Sequence, residues 1–186
     1  MLAYLTGVIQ TVQPDKKYLI VVVNQLGYKV FVPATVLEQC TTGSDLELYL
    51  HEVIREDTND LYGFLTQTDL AVFEQLISVS GVGPKVGLAL LSALSADAIV
   101  QAISQGDRTL LTQISGVGKK IADRLIVELK TMDIVPSQDS PTQAIVEALQ
   151  QLGYSTAEIR TVLQQLDRAA EVEQQLKQAL ALLSHG

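Results

Sequence analysis

Two stretches of the chain hold residue types from which a binding chemistry can be built: "VSGVGPKVGLALLSALS" (Val79 to Ser95) and "ISGVGKKIADRLIVELK" (Ile114 to Lys130). Each sets Gly-Val-Gly and a lysine at the start of an apolar stretch of helical period. Glycine takes up positive φ without a steric penalty and lets another backbone come close. A helix that begins there starts with unpaired N–H groups and a partial positive charge. With a lysine adding a point charge, the result is an anion site suited to phosphate. The candidate contacts are Gly81, Val82, Gly83 and Lys85 in the first copy, and Gly116, Val117, Gly118, Lys119, Lys120 and Arg124 in the second. Such contacts follow the shape of a nucleic-acid backbone rather than its bases. The plainer alternative is that the glycines only let helices pack tightly.

Aligning residues 73–94 with 108–129 gives eight identities in 22 positions: Leu76/Leu111, Ser80/Ser115, Gly81/Gly116, Val82/Val117, Gly83/Gly118, Lys85/Lys120, Leu90/Leu125 and Leu94/Leu129. Turn glycines and core leucines agree together, which makes this an internal repeat of helix, turn and helix. Two matched copies favour binding over packing alone. The arrangement resembles the paired helix–hairpin–helix motif of DNA-binding proteins, whose two hairpins grip phosphates across a duplex minor groove.

The elements that must position these turns fall into three segments. Residues 1–65 read as β: "YLIVVVN" and "GYKVFVP" are β-branched and aromatic runs joined through "QLG", with Gly27 expected at the turn. "DLELYLHEVI" alternates as a half-buried strand does, and "LYGFL" follows a polar tip. About five strands in so short a segment suggest a small barrel of OB type. Residues 66–130 turn helical, with Leu70, Phe73, Leu76 and Ile77 on one face, Thr68 or Asp69 as the expected N-cap, and four or five helices in all. "TMDIVPSQDSPT", residues 131–142, reads as a flexible linker. Residues 143–186 hold three amphipathic stretches, marked by Ile145, Val146, Leu149 and Leu152; by Ile159, Val162, Leu163 and Leu166; and by Val172, Leu176, Leu180 and Leu183. Ser155 and Glu158 have capping-box spacing. A three-helix module of this size is near the lower limit for independent folding. The fold class expected is therefore multi-domain α+β: an N-terminal OB-like β-barrel, a central tandem helix-hairpin-helix domain and a C-terminal three-helix module.

The formal net charge of −8 argues against indiscriminate nucleic-acid binding. Its distribution matters more. Residues 1–62 carry four Lys/Arg against eight Asp/Glu, residues 63–130 six against six, and residues 131–186 three against seven. The repeat-bearing middle is the least acidic part. One cysteine, Cys40, and two distant histidines, His51 and His185, provide neither a disulfide framework nor a zinc cluster. No export signal or membrane-length apolar run is evident, so a cytoplasmic protein is expected.

The acidic tip "REDTND" lies inside "HEVIREDTNDLYGF", and alone it reads as a solvated hairpin turn. Taken with "SGVGPKVGLALLS" and "GVGKKIADRLIVELK", in this order along the chain, it resembles the RuvA family, the Holliday-junction-binding subunits of the bacterial branch-migration complex. The resemblance implies a tetramer, or a pair of tetramers, whose flat face holds a four-way junction open and square. Each subunit's hairpins would hold one DNA arm. Glu56 and Asp57 would form an acidic pin at the centre, repelling phosphates and keeping strands apart. The C-terminal module would dock on the hexameric ATPase RuvB through candidates Leu149, Leu152, Tyr154 and Ile159, and the resolvase RuvC is a further implied partner. Most of those side chains also suit the module's own core. The chain departs from the family's pattern at Ala3 and Tyr4, where Gly and a basic residue are usual, at Gly87, where Ala is usual, and in a short linker.

Catalysis is not expected. No P-loop motif occurs, and the glycines of "GVGPKVG" follow a helix rather than a strand. Neither a cofactor nor a metal is implied. Two alternatives remain at this level. A helix-hairpin-helix glycosylase or lyase needs an Asp or Lys after the hairpin, and Asp139 lies near that distance but within the linker. A single-strand-binding barrel needs aromatic platforms, and the chain has no Trp and three Phe.

Overall fold

The computed structural model describes residues 1–130 and, beyond them, 145, 148, 149, 152, 154, 162 and 172–183. The chain divides into two compact units, Met1–Ile134 and Val135–Gly186.

The first unit begins with a closed five-stranded barrel in the order β1-β2-β3-β5-β4. The strands are β1 (Tyr4–Gln13), β2 (Tyr18–Val23), β3 (Leu26–Phe31), β4 (Asp45–Ile54) and β5 (Asn59–Phe64). β1 closes the barrel by serving two neighbours, pairing with β4 from Tyr4 to Val8 and with β2 from Val8 to Gln13. The register shifts between Ile9 and Thr11, a bulge that bends the strand around the corner. Gly7 lies just before it, opposite Leu46, and a Cβ there would lie 2.4 Å from the Val22 carbonyl oxygen. β3 and β5 pair in parallel, Val30 opposite Leu61 and Phe31 opposite Tyr62. The inward positions of the alternating strands, among them Leu5, Ile9, Leu19, Val21, Val30, Leu48 and Leu50, make the barrel core.

Two local readings change. The β2–β3 turn is formed by Asn24 and Gln25, at φ 47° and 70°, a two-residue connection of the kind that matches strand twist. Gly27 lies within β3, opposite Val22. A short helix, α1 (Ala34–Gln39), which the sequence did not announce, sends Val36 and Leu37 into the barrel core.

Five helices follow: α2 (Gln67–Ser78), α3 (Pro84–Ala93), α4 (Ala96–Gln105), α5 (Arg108–Thr112) and α6 (Lys119–Leu129). The cap of α2 is Thr66 rather than Thr68 or Asp69. Its Oγ1 accepts from the Asp69 amide at 3.1 Å and donates to the Asp69 carboxylate at 2.7 Å. Ser95 and Asp107 cap α4 and α5 in the same way, and Gly106, at φ +71°, ends α4 in the left-handed conformation.

The last strand of the barrel contributes to the helical core. Tyr62 and Phe64 of β5 join Phe73, Leu76, Leu90, Ile99, Leu111 and Leu125. Phe31, Tyr62 and Phe73 stack in sequence, with ring centroids 5.7 and 5.4 Å apart. His51 Nδ1 lies 2.9 Å from Glu74 Oε1, and the Ala34 amide donates to Ser92 Oγ at 2.9 Å. Packing thus crosses the change from β to α between Phe64 and Gln67. Gly87 has its reason here: the Phe73 ring occupies the space where a Cβ would stand, 3.0 Å away.

In the second unit, α7 (Val172–Leu183) is described. Ile145, Leu149, Val162 and Ala179 are buried together, with Tyr154, Leu176, Leu180 and Leu183 packed against them. The linker reading, the Ser155–Glu158 cap and the Val146, Leu163 and Leu166 positions lie outside the described residues.

Candidate nucleic-acid interface

The two Gly-Val-Gly turns share one geometry. In the first, the Val82 amide donates to the Val79 carbonyl at 3.0 Å, closing a four-residue turn with Gly81 at φ +90°. In the second, the Val117 amide donates to the Ile114 carbonyl at 3.0 Å, with Gly116 at φ +88°. Positive φ at the third position of such a turn is what requires glycine. The next residue points inward: Val82 and Val117 are both buried in the helical core. The expectation that these valines contact a ligand is therefore corrected for their side chains. They anchor the turn from within the helical core.

The second glycine of each turn is different. Gly83 and Gly118 are the N-caps of α3 and α6, at φ −91° and −82°, backbone that any residue adopts. A Cβ at either would meet no atom of the chain within 4 Å. The internal packing thus gives no reason for glycine at these positions. What the missing side chains leave bare is the outward-facing main chain beside the first-turn amides of each helix. Lys85, Lys119 and Lys120 are exposed there. The two sites are not equal: Pro84 removes one N–H from the start of α3, whereas Lys119 keeps it in α6.

The turns lie side by side. Val86, after the first, reaches 3.4 Å from where a Cβ on Gly116 would be. Its counterpart Ile121 lines a cleft with Ser80, Gly81, Lys120, Asp123 and Arg124. Arg124, on α6, crosses to the first turn and donates from Nη1 to the Ser80 carbonyl at 2.8 Å. Asp123 pairs with Arg108 of α5.

The acidic tip is a tight turn between β4 and β5, closed by the Arg55 amide donating to the Thr58 carbonyl at 2.8 Å. Glu56 and Asp57 lie in the turn, both exposed. Glu52 holds its base. Its Oε1 accepts from Asn59 Nδ2 at 3.0 Å, and its Oε2 accepts from the Leu2 amide at 2.9 Å with the N-terminal ammonium 3.6 Å away. The Asn59 hydrogen bond, then that of Leu2, holds the Glu52 carboxyl below its ordinary range. Sequence reasoning missed Glu52, whose only signal was a carboxylate near the end of a strand.

Three family models match the chain: the RuvA N terminal domain over residues 1–63, a SAM-like helix-hairpin-helix tandem over 73–131, and the RuvA C-terminal domain over 141–184. A protein of Caldanaerobacter subterraneus subsp. tengcongensis, named Holliday junction branch migration complex subunit RuvA, is 38% identical over 99% of this chain and 100% of its own. The chain belongs to the RuvA family. Proteins of the same name from Trichlorobacter lovleyi and Pseudomonas fluorescens are each 38% identical, over 98% and 97% of this chain and 99% and 98% of their own.

The remaining RuvA-type expectations meet the structure unevenly. Leu149 is fully buried in the core of the second unit, so as a partner-facing candidate it is corrected to a core residue. Tyr154 is half-buried against the same core, and Leu152 is exposed. Ile159 and Asp139 lie outside the described residues. Among the described residues, no group of three His, Cys, Asp or Glu side chains is placed to hold a metal ion, and no single helix is long and apolar enough to cross a membrane.

Proposed function

We propose that this chain binds four-way DNA junctions by their shape, without reading sequence, and holds them open for branch migration. The observation that carries the reading is the pair of matched turns whose second glycines, Gly83 and Gly118, are left bare toward solvent. Phosphates of one DNA arm sit against the main chain of Gly81–Gly83 and Gly116–Gly118, with Lys85, Lys119 and Lys120 alongside. Four copies, or two such rings face to face, bring their Glu56 and Asp57 tips to the crossover. There the carboxylates repel phosphates, and no arm locks into one register. Acidity elsewhere limits binding outside the hairpins. The relatives named as branch migration complex subunits support the same reading.

The chain is a non-catalytic subunit of the cytoplasm, and it recruits and stimulates a RuvB-type hexameric ATPase through residues 143–186. Leu152, Tyr154 and Ile159 are the candidates for that surface. A junction resolvase of the RuvC type approaches the same DNA. Mobility shift of the full chain on a four-way junction, an equal-length duplex and a single strand tests the proposal. Strong junction preference, little sequence dependence and loss at high salt are expected. Equal affinity for junction and duplex rejects it.

A further inference from the structure

The hydrogen bond from Arg124 to Ser80 joins the two repeats in a way that the repeat does not itself require. Position 124 corresponds to Ala89 in the first copy, so the reach is one-sided. Arg124 belongs to the helix of the second hairpin, yet its Nη1 donates to the main-chain carbonyl of the first, 2.8 Å away. It also stands beside Gly81: a Cβ there would lie 3.7 Å from that same nitrogen. Ser80 and Gly81 are the two central residues of the first turn, whose closing bond runs from Val82 to Val79. A charge-assisted bond to the turn's carbonyl holds its peptide plane. The neighbouring acid, Asp123, is occupied by Arg108 and does not draw Arg124 away.

We infer that Arg124 is a positioning residue: it fixes the first hairpin at its spacing from the second, and so acts on DNA through Ser80 and Gly81 rather than as a phosphate ligand of its own hairpin. Two phosphates along a strand are a fixed distance apart, so two rigid hairpins bind well only when their separation is set in advance. The second hairpin carries two lysines and the additional amide. The first has one lysine and a proline at its helix start. The weaker hairpin is the one that gains most from being held. This role rests on the function proposed above.

The test is a double-mutant cycle on junction affinity in the full chain. Arg124→Met keeps the aliphatic stem and removes the donors. Gly83→Ala and Gly118→Ala each put a methyl where no atom of the chain stands, disturbing one hairpin's approach to DNA at a time. Arg124→Met alone is expected to weaken junction binding about tenfold, the scale of one hydrogen bond to a charged group. In the Gly83→Ala background the added effect falls to less than about twofold, and in the Gly118→Ala background it stays near tenfold. Coupling to Gly118, equal effects in both backgrounds, or no effect in the unaltered chain each overturn the inference. Native-state amide exchange without DNA gives a second readout. Arg124→Met should speed exchange at the Val82 amide well beyond any change at Val117, and an unchanged Val82 also overturns the role. Failure of the unaltered chain to prefer the junction rejects the functional reading instead, and leaves the exchange result standing as a separate test.

Discussion

At the scale of single residues, the glycines separate into those that the fold needs and those that no internal contact explains. Gly7 is of the first kind, because a Cβ would collide with the Val22 carbonyl, which is backbone and does not move aside. Gly7→Ala should cost about 1–3 kcal/mol or more, the range for overfilling a packed site. Gly118 is of the second kind, and Gly118→Asp distinguishes the two sharply. Aspartate is a preferred N-cap, its charge complements the positive helix start, and the backbone at φ −82° accepts it. Urea unfolding should show the variant unchanged or up to about 1 kcal/mol more stable. The same carboxylate occupies the anion site, so mobility shift should show junction binding weakened by more than about tenfold, the worth of one charge-assisted contact. A stabilised variant with intact binding places the DNA elsewhere.

At the scale of elements, what was legible in the sequence is what local chemistry decides. The repeat, the strand alternation of "DLELYLHEVI" and the change of period before α2 each express a rule acting within a few residues. The β2–β3 turn misled because glycine is the usual supplier of positive φ, and here Asn24 and Gln25 supply it. Helix α1 and the His51–Glu74 contact depend on partners far along the chain, and no local pattern announces them. The acidic turn between β4 and β5 shows both sides: Glu56 and Asp57 were visible, and the Glu52 anchor at its base was not. That anchor predicts a pH dependence. The Glu52 carboxyl is held below its ordinary value of 4.5. The stability it contributes is therefore fully present above the unfolded-state value and is lost as pH falls through the folded one. Urea unfolding of the unaltered chain and of Glu52→Gln should differ most at neutral pH and converge as the solution is acidified through that window. A constant difference would show that the carboxylate's charge is not what ties the turn to the N-terminus. Replacing Glu56 and Asp57 by Gln and Asn leaves this anchor intact. Junction affinity should hold or rise, while strand separation at the crossover, read by fluorescence of a base analogue there, should fall. Abolished binding would reject repulsion as the role of the pin.

At the scale of the whole molecule, each unit has core residues of its own. The barrel and helical cores of the first unit draw on residues from Leu5 to Leu129, and the core of the second unit on residues from Ile145 onward. Within the first unit these cores support the two hairpins and the acidic turn, and the stack of Phe31, Tyr62 and Phe73 fixes barrel to helices. Among the described residues of the second unit, Ile145, Leu149, Val162 and Ala179 are buried together. Leu152 is exposed there while Leu149 is fully buried. Deleting residues 143–186 should leave the urea midpoint of the remaining chain and its junction affinity unchanged, and should abolish stimulation of the ATPase. Leu152→Asp in the full chain should reduce stimulation in the same way without unfolding the module, because an exposed position tolerates charge, whereas Leu149→Asp should unfold it by burying an unpaired carboxylate. Stimulation that survives the deletion moves the motor contact onto the first unit. Loss of junction binding in the deleted chain would mean that the hairpins alone do not hold the DNA arm.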